Sequence, residues 1–500
     1  MMHMNKTIQL LQQLRRSISS IRQSTDNPEH AAVLSYADQA LNELLLQESP
    51  AFYLDYIVIG KTLLSEGRVL AESVGNSFVE PRPTPLRQDL TVDLNGKFIR
   101  AEIDNLHKSL IPVVNALDEG RSRAEKVYLE KLCAWESTLY SHSLENAGCA
   151  LQSVDRSLTN EALQAYLLRR FPHWTNLSVT DLRRLYGGAS KTTIFFETRD
   201  ALNGSQSLVL RAEPSANVLC YTGSDVAREF YMIQLMRRSG LPIAEPLWLE
   251  EDSSQLGMRF IVSRKAAGRI YGNTLGAKEV LPPPLLESFM TTLAKMHNIR
   301  IDPNDELAKR SHLEEWLPYV GSLGETMTYM VREYLPRMIR ATNISASPQL
   351  IRGLKWLESN VPEYEETPVI IHTDFAFNNL LIENNMISAV LDWETSLMGD
   401  PSYDVIWAQY CLNKYIPMAE FLRLYSAKTG RAISEYRLAY ARVLKCVLSG
   451  IGCRSAARVI EQTPGADFNL ILADLAYKYL AIFGSEFNAL IADAESVRCR

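Results

Sequence analysis

Val369-Ile-Ile-His-Thr-Asp-Phe-Ala-Phe-Asn-Asn-Leu-Leu-Ile382 and, shortly after it, Ala389-Val-Leu-Asp-Trp-Glu394 decide the reading of this chain. The run reads as strand, polar loop, strand, short turn, strand. Three groups suited to phosphoryl transfer sit on it at fixed spacing. Asp374 can accept a proton from an incoming hydroxyl. Asn379, five residues on, and Asp392, thirteen beyond that, offer oxygens to Mg²⁺. Phosphoryl transfer asks a protein mainly for positioning and charge neutralisation, so a base and two metal oxygens on strand ends suit it. A buried hairpin with ordinary turn polars would explain Asp, Asn or His singly. It would not explain the Asp-Trp-Glu block or Gly399-Asp-Pro-Ser-Tyr-Asp404 downstream.

His372-x-Asp-x-x-x-x-Asn379, the apolar strand, Asp392-Trp-Glu394 and the Gly399 block, taken in order, resemble the aminoglycoside phosphotransferase family. The resemblance covers roughly residues 155 to 450. It implies an α+β, bilobal, protein-kinase-like fold. An antiparallel β N-lobe for nucleotide is expected over 155–268, and a mainly helical C-lobe with the catalytic loop and substrate site over 269–500. An all-α helical domain of unknown role over 1–150 precedes them. ATP and Mg²⁺ are the implied cofactors.

The nucleotide side follows from the same resemblance. Leu185-Tyr-Gly-Gly-Ala-Ser-Lys191 lies between two expected strands, where similar phosphotransferases carry a Gly-Gly-x-Ser turn. Successive N–H groups in such a turn can face a phosphate, and Ser190 is the candidate side-chain contact. Arg211, in Leu208-Val-Leu-Arg211, stands where a kinase has its strand Lys. Glu229 is the helix carboxylate expected to pair with it. Arg is a planar fork rather than a compact ammonium. The Val-Leu-Arg run resembles the branch associated with acyl-CoA dehydrogenases. Phe260 to Gly268 resembles the hinge that meets adenine.

His372 reads as a brace for the loop. Glu394 is open as a metal ligand or a supporting residue. Asp400 and Asp404 read as anchors for the helix that follows, and His297 as a packed or capping residue. Thr373 replaces a usual Gly, and Ala376-Phe377-Asn378 replaces a His-Pro-Gly type run. Both changes fall on the substrate side of the loop.

Away from these motifs, apolar residues at three- and four-residue intervals predict helices over Pro28 to Glu48, Ala51 to Val74, Ile99 to Leu117 and Arg121 to Ala147. Met1 to Thr25, basic and free of acids, reads as an amphipathic first helix with Ile8, Leu10, Leu11, Leu14 and Ile18 on one side, and an organellar presequence is the alternative. Pro81-Arg-Pro-Thr-Pro85 reads as a stiff break. Strands are expected at Leu177–Leu185, Thr192–Thr198, Ser207–Ala212, Pro246–Leu249 and Arg259–Ser263, with a helix over Asp225–Ser239. Helices are expected again over Leu285–His297, Leu313–Ile339 and Pro348–Asn360, and from Tyr403 onward.

With 46% apolar and 22% charged residues among 500, the chain reads as globular, with two to four domains. A net charge of −6 gives no reason to expect nucleic acid or a membrane as partner. The seven cysteines form no C-x-x-C pair and read as reduced thiols of a cytoplasmic protein. The N-terminus lacks the apolar core of a secretory signal.

The expected reaction is transfer of the ATP γ-phosphoryl group to a small-molecule hydroxyl. Gly399 follows Asp392 by only seven positions, which leaves no long activation segment for a protein substrate. Arg437, Arg442, Lys445, Arg454 and Arg458 stand where aminoglycoside-binding members need acids. They either meet an anionic acceptor such as a CoA thioester or form a solvated helix face. A hydroxyacyl-CoA or hydroxy acid is the leading acceptor. A choline-, sugar-, homoserine- or aminoglycoside-type kinase, a non-catalytic scaffold and a homodimer stay open.

Overall fold

Period-2 alternation builds the first sheet. In the computed structural model the strands β1 (Ser178–Leu185), β2 (Thr192–Asp200), β3 (Gly204–Ala212), β4 (Pro246–Glu250) and β5 (Phe260–Arg264) form one antiparallel sheet in the order β1-β2-β3-β5-β4. The structure describes residues 50–74, 96–118, 121–146, 158–185, 191–213, 225–271, 281–341, 347–462 and 470–498. The expected helices before residue 50, the Pro81–Pro85 break and Ser190 lie outside the described residues.

Even-numbered residues of the central strands (Ile194, Phe196, Leu208, Leu210, Phe260, Val262) turn to one side of the sheet. There they join Trp174, Trp248 and the Asn160–Arg170 helix in a single core. The opposite side meets the Val226–Arg238 helix through Val226, Phe230 and Ile261. Asp225 caps that helix by accepting from Ala227 N–H at 2.7 Å. Strand pairing puts Thr193 opposite Arg211 and Arg211 opposite Ile261, so the Arg211 side chain stands on the helix-facing side.

Beyond β5 the chain passes to β6 (Arg269–Ile270), which pairs with β8 (Leu380–Glu383) and through it with β9 (Met386–Val390). Gly268 enables this passage. Its φ is +102°, and a Cβ there would lie 2.8 Å from the Ile382 carbonyl oxygen. β7 (Val369–Ile371) pairs with β10 (Leu397–Gly399), so the catalytic loop starts and the Asp-Trp-Glu segment ends on neighbouring strands.

One expected helix is broken. Leu313–Ile339 is instead a 3₁₀ turn (Glu314–Tyr319), a short α-helix (Leu323–Tyr329), a π turn (Met330–Tyr334) and a second short helix (Leu335–Ala341). Pro318 lies inside the first piece and Gly321 follows it, so the ladder of i to i−4 bonds cannot run through. Among the described residues the other expected elements appear within a few residues of their predicted ends.

The packing divides the chain into two units: Met1–Ser153 with Leu335–Ser359 and Cys446–Ser496, and Val154–Tyr334 with Asn360–Lys445 and Val497–Arg500. Two stretches that the sequence assigned to the C-lobe thus group with the N-terminal helices. In the first unit, helices Pro50–Ser73, Gly96–Ala116 and Arg123–Asn146 share a core of Tyr56, Leu63, Leu106, Leu110, Val113 and Trp135, against which Ile351 packs. Glu136, fully buried there, pairs with Arg454 at 2.9 Å and accepts from Ser347 Oγ and Gln349 N–H at 2.7 Å each.

Candidate active site

The second unit brings the predicted residues into two adjoining groups. In the first, Arg211 on β3 divides its guanidinium. One nitrogen meets Glu229 Oε1 at 3.0 Å, and the other donates to Asp392 Oδ1 at 2.7 Å. Glu229 is fully buried in the first turn of its helix. Burial pushes its carboxyl pKa upward, but Arg211 and Lys191 outweigh that and hold it below the usual carboxylate range. Asp392 follows β9 in a left-handed conformation, φ +66°, and its side chain remains 34% exposed.

The second group is the loop after β7. Asn379 donates to the Asp374 carboxylate at 2.7 Å and to the Asp374 carbonyl at 3.0 Å, while Asn378 reaches the same carboxylate at 3.4 Å. Burial raises the Asp374 pKa and the charge of Asp392 adds to the rise; His372 and the two amides oppose it.

The loop is suspended from behind. Asp404, fully buried, accepts from His372 N–H at 2.7 Å and Thr373 N–H at 2.9 Å. His297 reaches the same carboxylate through Nε2 at 3.2 Å, with its Nδ1 on Tyr425 at 2.8 Å. Asp404 therefore holds the catalytic loop itself, beyond the helix-anchoring part read from sequence. His372 donates from Nε2 to the Leu391 carbonyl at 2.8 Å, and its Nδ1 accepts from Asp374 N–H at 3.3 Å, so it ties the loop to the strand that ends at Asp392. Thr373 stands at φ +72°, where a β-branched residue is strained and a glycine is not. That accounts for the glycine in similar sequences. Its hydroxyl meets Thr395 Oγ1 at 2.6 Å.

Lys191 is the residue that sequence reasoning missed. It begins beside β2 and its side chain is 1% exposed. Its ammonium meets Glu229 Oε2 at 3.0 Å and the Glu394 carboxylate. Burial works against its charge, yet the two carboxylates hold its pKa above the ordinary lysine range. A signal existed: a Lys directly after a Gly-Gly-x-Ser turn, two residues ahead of the strand position opposite Arg211. The cations Lys191 and Arg211 thus face Glu229, Glu394 and Asp392, leaving one negative charge in excess. The open choice for Glu394 is narrowed accordingly, since its carboxylate is engaged by Lys191.

Burial and ion pairing leave neither reading for Arg437 and Arg454, and burial removes the solvated-face reading for Lys445. Arg437 is buried and binds Asp400 at 2.8 Å and Glu366. Arg454 is buried against Glu136. Lys445 is buried with its ammonium 4.0 Å over the Trp407 ring and 3.7 Å over the Tyr410 ring. The side chain of Arg458 lies outside the described residues. Asp400 also accepts from Ser402 N–H at 2.8 Å; the N-cap position of the helix Ser402–Leu412 is Pro401, so Asp400 ties down the first helical residue from just outside the cap. Among the described cysteines, Cys133, Cys411 and Cys446 are buried, and these and Cys453 are free thiols.

The sequence profile of the phosphotransferase enzyme family matches residues 181–440. The chain belongs to this family, and its kinase-like fold is the one that the strand order and catalytic hairpin describe. Mouse acyl-CoA dehydrogenase family member 10 is 29% identical over 236 residues, 46% of this chain and 20% of that protein. Mouse acyl-CoA dehydrogenase family member 11 is 27% identical over 253 residues, 49% of this chain and 30% of that protein. The chain therefore spans under a third of the length of these relatives. Hygromycin-B 4-O-kinase of Escherichia coli is 23% identical over 253 residues, 50% of this chain and 66% of that enzyme. Among solved structures, an aminoglycoside phosphotransferase-like protein of Ralstonia eutropha superposes with a TM-score of 0.44 at 20% identity, over 67% of this chain and 99% of the other.

Proposed function

We propose that the chain is a small-molecule kinase that moves the γ-phosphoryl group of ATP to a substrate hydroxyl. Family membership supports the reaction class. The observation that carries the reading to this chain is the charge string Glu229–Arg211–Asp392, set beside Asp374 and Asn379. Bound Mg²⁺-ATP would supply the phosphoryl group and shield its charge.

Each residue then has one task. Asp374 orients the acceptor hydroxyl and takes its proton. Its carboxylate is aimed by Asn379 and suits a base because burial raises its proton affinity. Arg211, steadied by Glu229, faces the phosphates. Ser190 is the proposed turn contact. Asn379 and Asp392 are the metal oxygens. Among the described residues no three His, Cys, Asp or Glu stand together as a metal cage. Two protein oxygens with phosphate oxygens and water make up the usual Mg²⁺ set, so this donor set fits that ion.

A small acceptor is favoured because the segment after Asp392 closes at once into a 3₁₀ turn and β10, with no room for a peptide-docking loop. For its class we favour a hydroxyacyl-CoA or related hydroxy acid. The support is the likeness to acyl-CoA dehydrogenase family members 10 and 11; Arg437 and Arg454, engaged in ion pairs, lend none. The test is Mg²⁺-ATP-dependent ADP release across hydroxyacyl-CoAs, hydroxy acids, choline, sugars and aminoglycosides. Release with the first two classes is expected. Release with another class reassigns the acceptor. Silence with all of them, and no nucleotide-induced thermal shift, leaves a non-catalytic scaffold.

A further inference from the structure

The reaction just described assigns no task to Lys191. Its side chain is nonetheless almost fully buried, and an ammonium stripped of water needs close counter-charges to stay ionised. Lys191, just before β2, and Arg211 on β3 both reach Glu229. Thr193, two residues after Lys191, is paired with Arg211, and the common contact with Glu229 puts the Lys191 and Arg211 side chains on the same side of the sheet. Each cation takes one oxygen of the helix carboxylate, Lys191 the Oε2 and Arg211 the Oε1, both at 3.0 Å. Lys191 then continues to Glu394 and Arg211 to Asp392, two residues apart on the segment after β9.

Without the ammonium, Glu229 and Glu394 would face each other in a dry environment with Arg211 as their nearest counter-charge. The guanidinium would be drawn between them and away from Asp392. We propose that Lys191 is a positioning residue for phosphoryl transfer. By neutralising Glu229 and Glu394 together, it leaves the Arg211 fork to span Glu229 and Asp392. It thereby sets the nucleotide-facing cation against the metal-facing acid. The proposal rests on the roles given above to Arg211 and Asp392.

The test compares the full chain with Lys191→Met, Glu394→Gln and the double variant. The readouts are melting temperature, Mg²⁺-ATP affinity by titration calorimetry, and kcat and KM for ATP with the acceptor found in the panel. Lys191→Met should lower kcat about 100-fold and weaken Mg²⁺-ATP binding. The double variant, which removes the stranded carboxylate as well, should recover at least about tenfold of each. A role confined to filling space would show no such rescue. The proposal is overturned if Lys191→Met keeps kcat and affinity within about twofold, or if the double variant is no better than Lys191→Met while both melt like the parent. If Lys191→Met does not fold, the double variant decides. Function within about tenfold of the parent supports the proposal, and function lower than that overturns it. A parent chain that binds Mg²⁺-ATP but turns over no acceptor sinks the kinase reading alone, and affinity still tests Lys191. A parent that binds no nucleotide overturns both.

Discussion

Asp374, half-buried, and His312, buried, are two titratable side chains with opposite consequences for pH. Burial and the Asp392 charge raise the Asp374 carboxyl. A base works only when ionised, so activity should fall as the pH drops through that raised value. The acid limb of kcat against pH should therefore lie above the ordinary Asp value of about 4. Asp374→Asn should abolish turnover and keep the Mg²⁺-ATP thermal shift; full turnover in that variant would remove Asp374 from its assigned role. His312 is buried, with no hydrogen-bond partner at either ring nitrogen. Burial pushes its pKa down to about 4; Lys191 and Arg228 nearby push the same way, while Glu229 and Glu394 oppose them. The unfolded chain takes up this proton near pH 6.5, before the folded one does. Its contribution is thus intact above that pH and is lost progressively toward pH 4, by about 3 kcal/mol. Urea unfolding at pH 7 and pH 4.5 should show a smaller acid loss in His312→Leu than in the parent. An equal loss would remove His312 as its source. At this scale Asp374, Asn379, Arg211 and Glu229 were legible because their spacing is part of one contiguous or resembling motif. Lys191 and His312 were not, because their importance lies in what surrounds them after folding.

At the scale of elements, the loop between β7 and β8 is held from behind by side chains of other elements. Asp404, His297 and Tyr425 form one relay behind it, and Arg437 locks Asp400 and Glu366 together. Removing one partner of a buried ion pair leaves the others uncompensated. Arg437→Met should therefore cost about 3 kcal/mol in denaturant unfolding, yet leave KM for the acceptor unchanged in the folded fraction. A large rise in acceptor KM with unchanged stability would restore the anion-binding reading of that cation. Periodicity identified the helices and strands well. It overran at Pro318 and Gly321, where apolar spacing persists although the backbone cannot continue as one helix.

For the whole molecule, the first unit is assembled from distant stretches. Lys355, on the Pro348–Ser359 helix, donates to the Leu117 carbonyl at 2.6 Å and to that of Val114 at 3.1 Å. Glu136 satisfies Ser347, Gln349 and Arg454. Deleting residues 1–153 would strip cover and counter-charge from Leu335–Ser359 and Cys446–Ser496. The shortened chain should be insoluble or melt without a cooperative transition. A soluble fragment with a parent-like Mg²⁺-ATP thermal shift would show that the N-terminal helices are dispensable. No helix among the described residues is long and apolar enough to cross a membrane.

The sequence by itself determined the phosphotransferase family, the kinase-like sheet and hairpin, and the motif residues Arg211, Glu229, Asp374, Asn379 and Asp392 that the fold brings together. Those features are local, or are carried by a few short motifs in a set order. Tertiary structure alone decided that the N-terminal helices share a unit with two later segments, that Arg437 and Arg454 are spent on ion pairs, and that Lys191 bridges Glu229 and Glu394. Each depends on which carboxylate is buried beside which cation, and residues about 200 to 320 positions apart meet only when the chain has folded and burial makes an uncompensated charge too costly to leave alone.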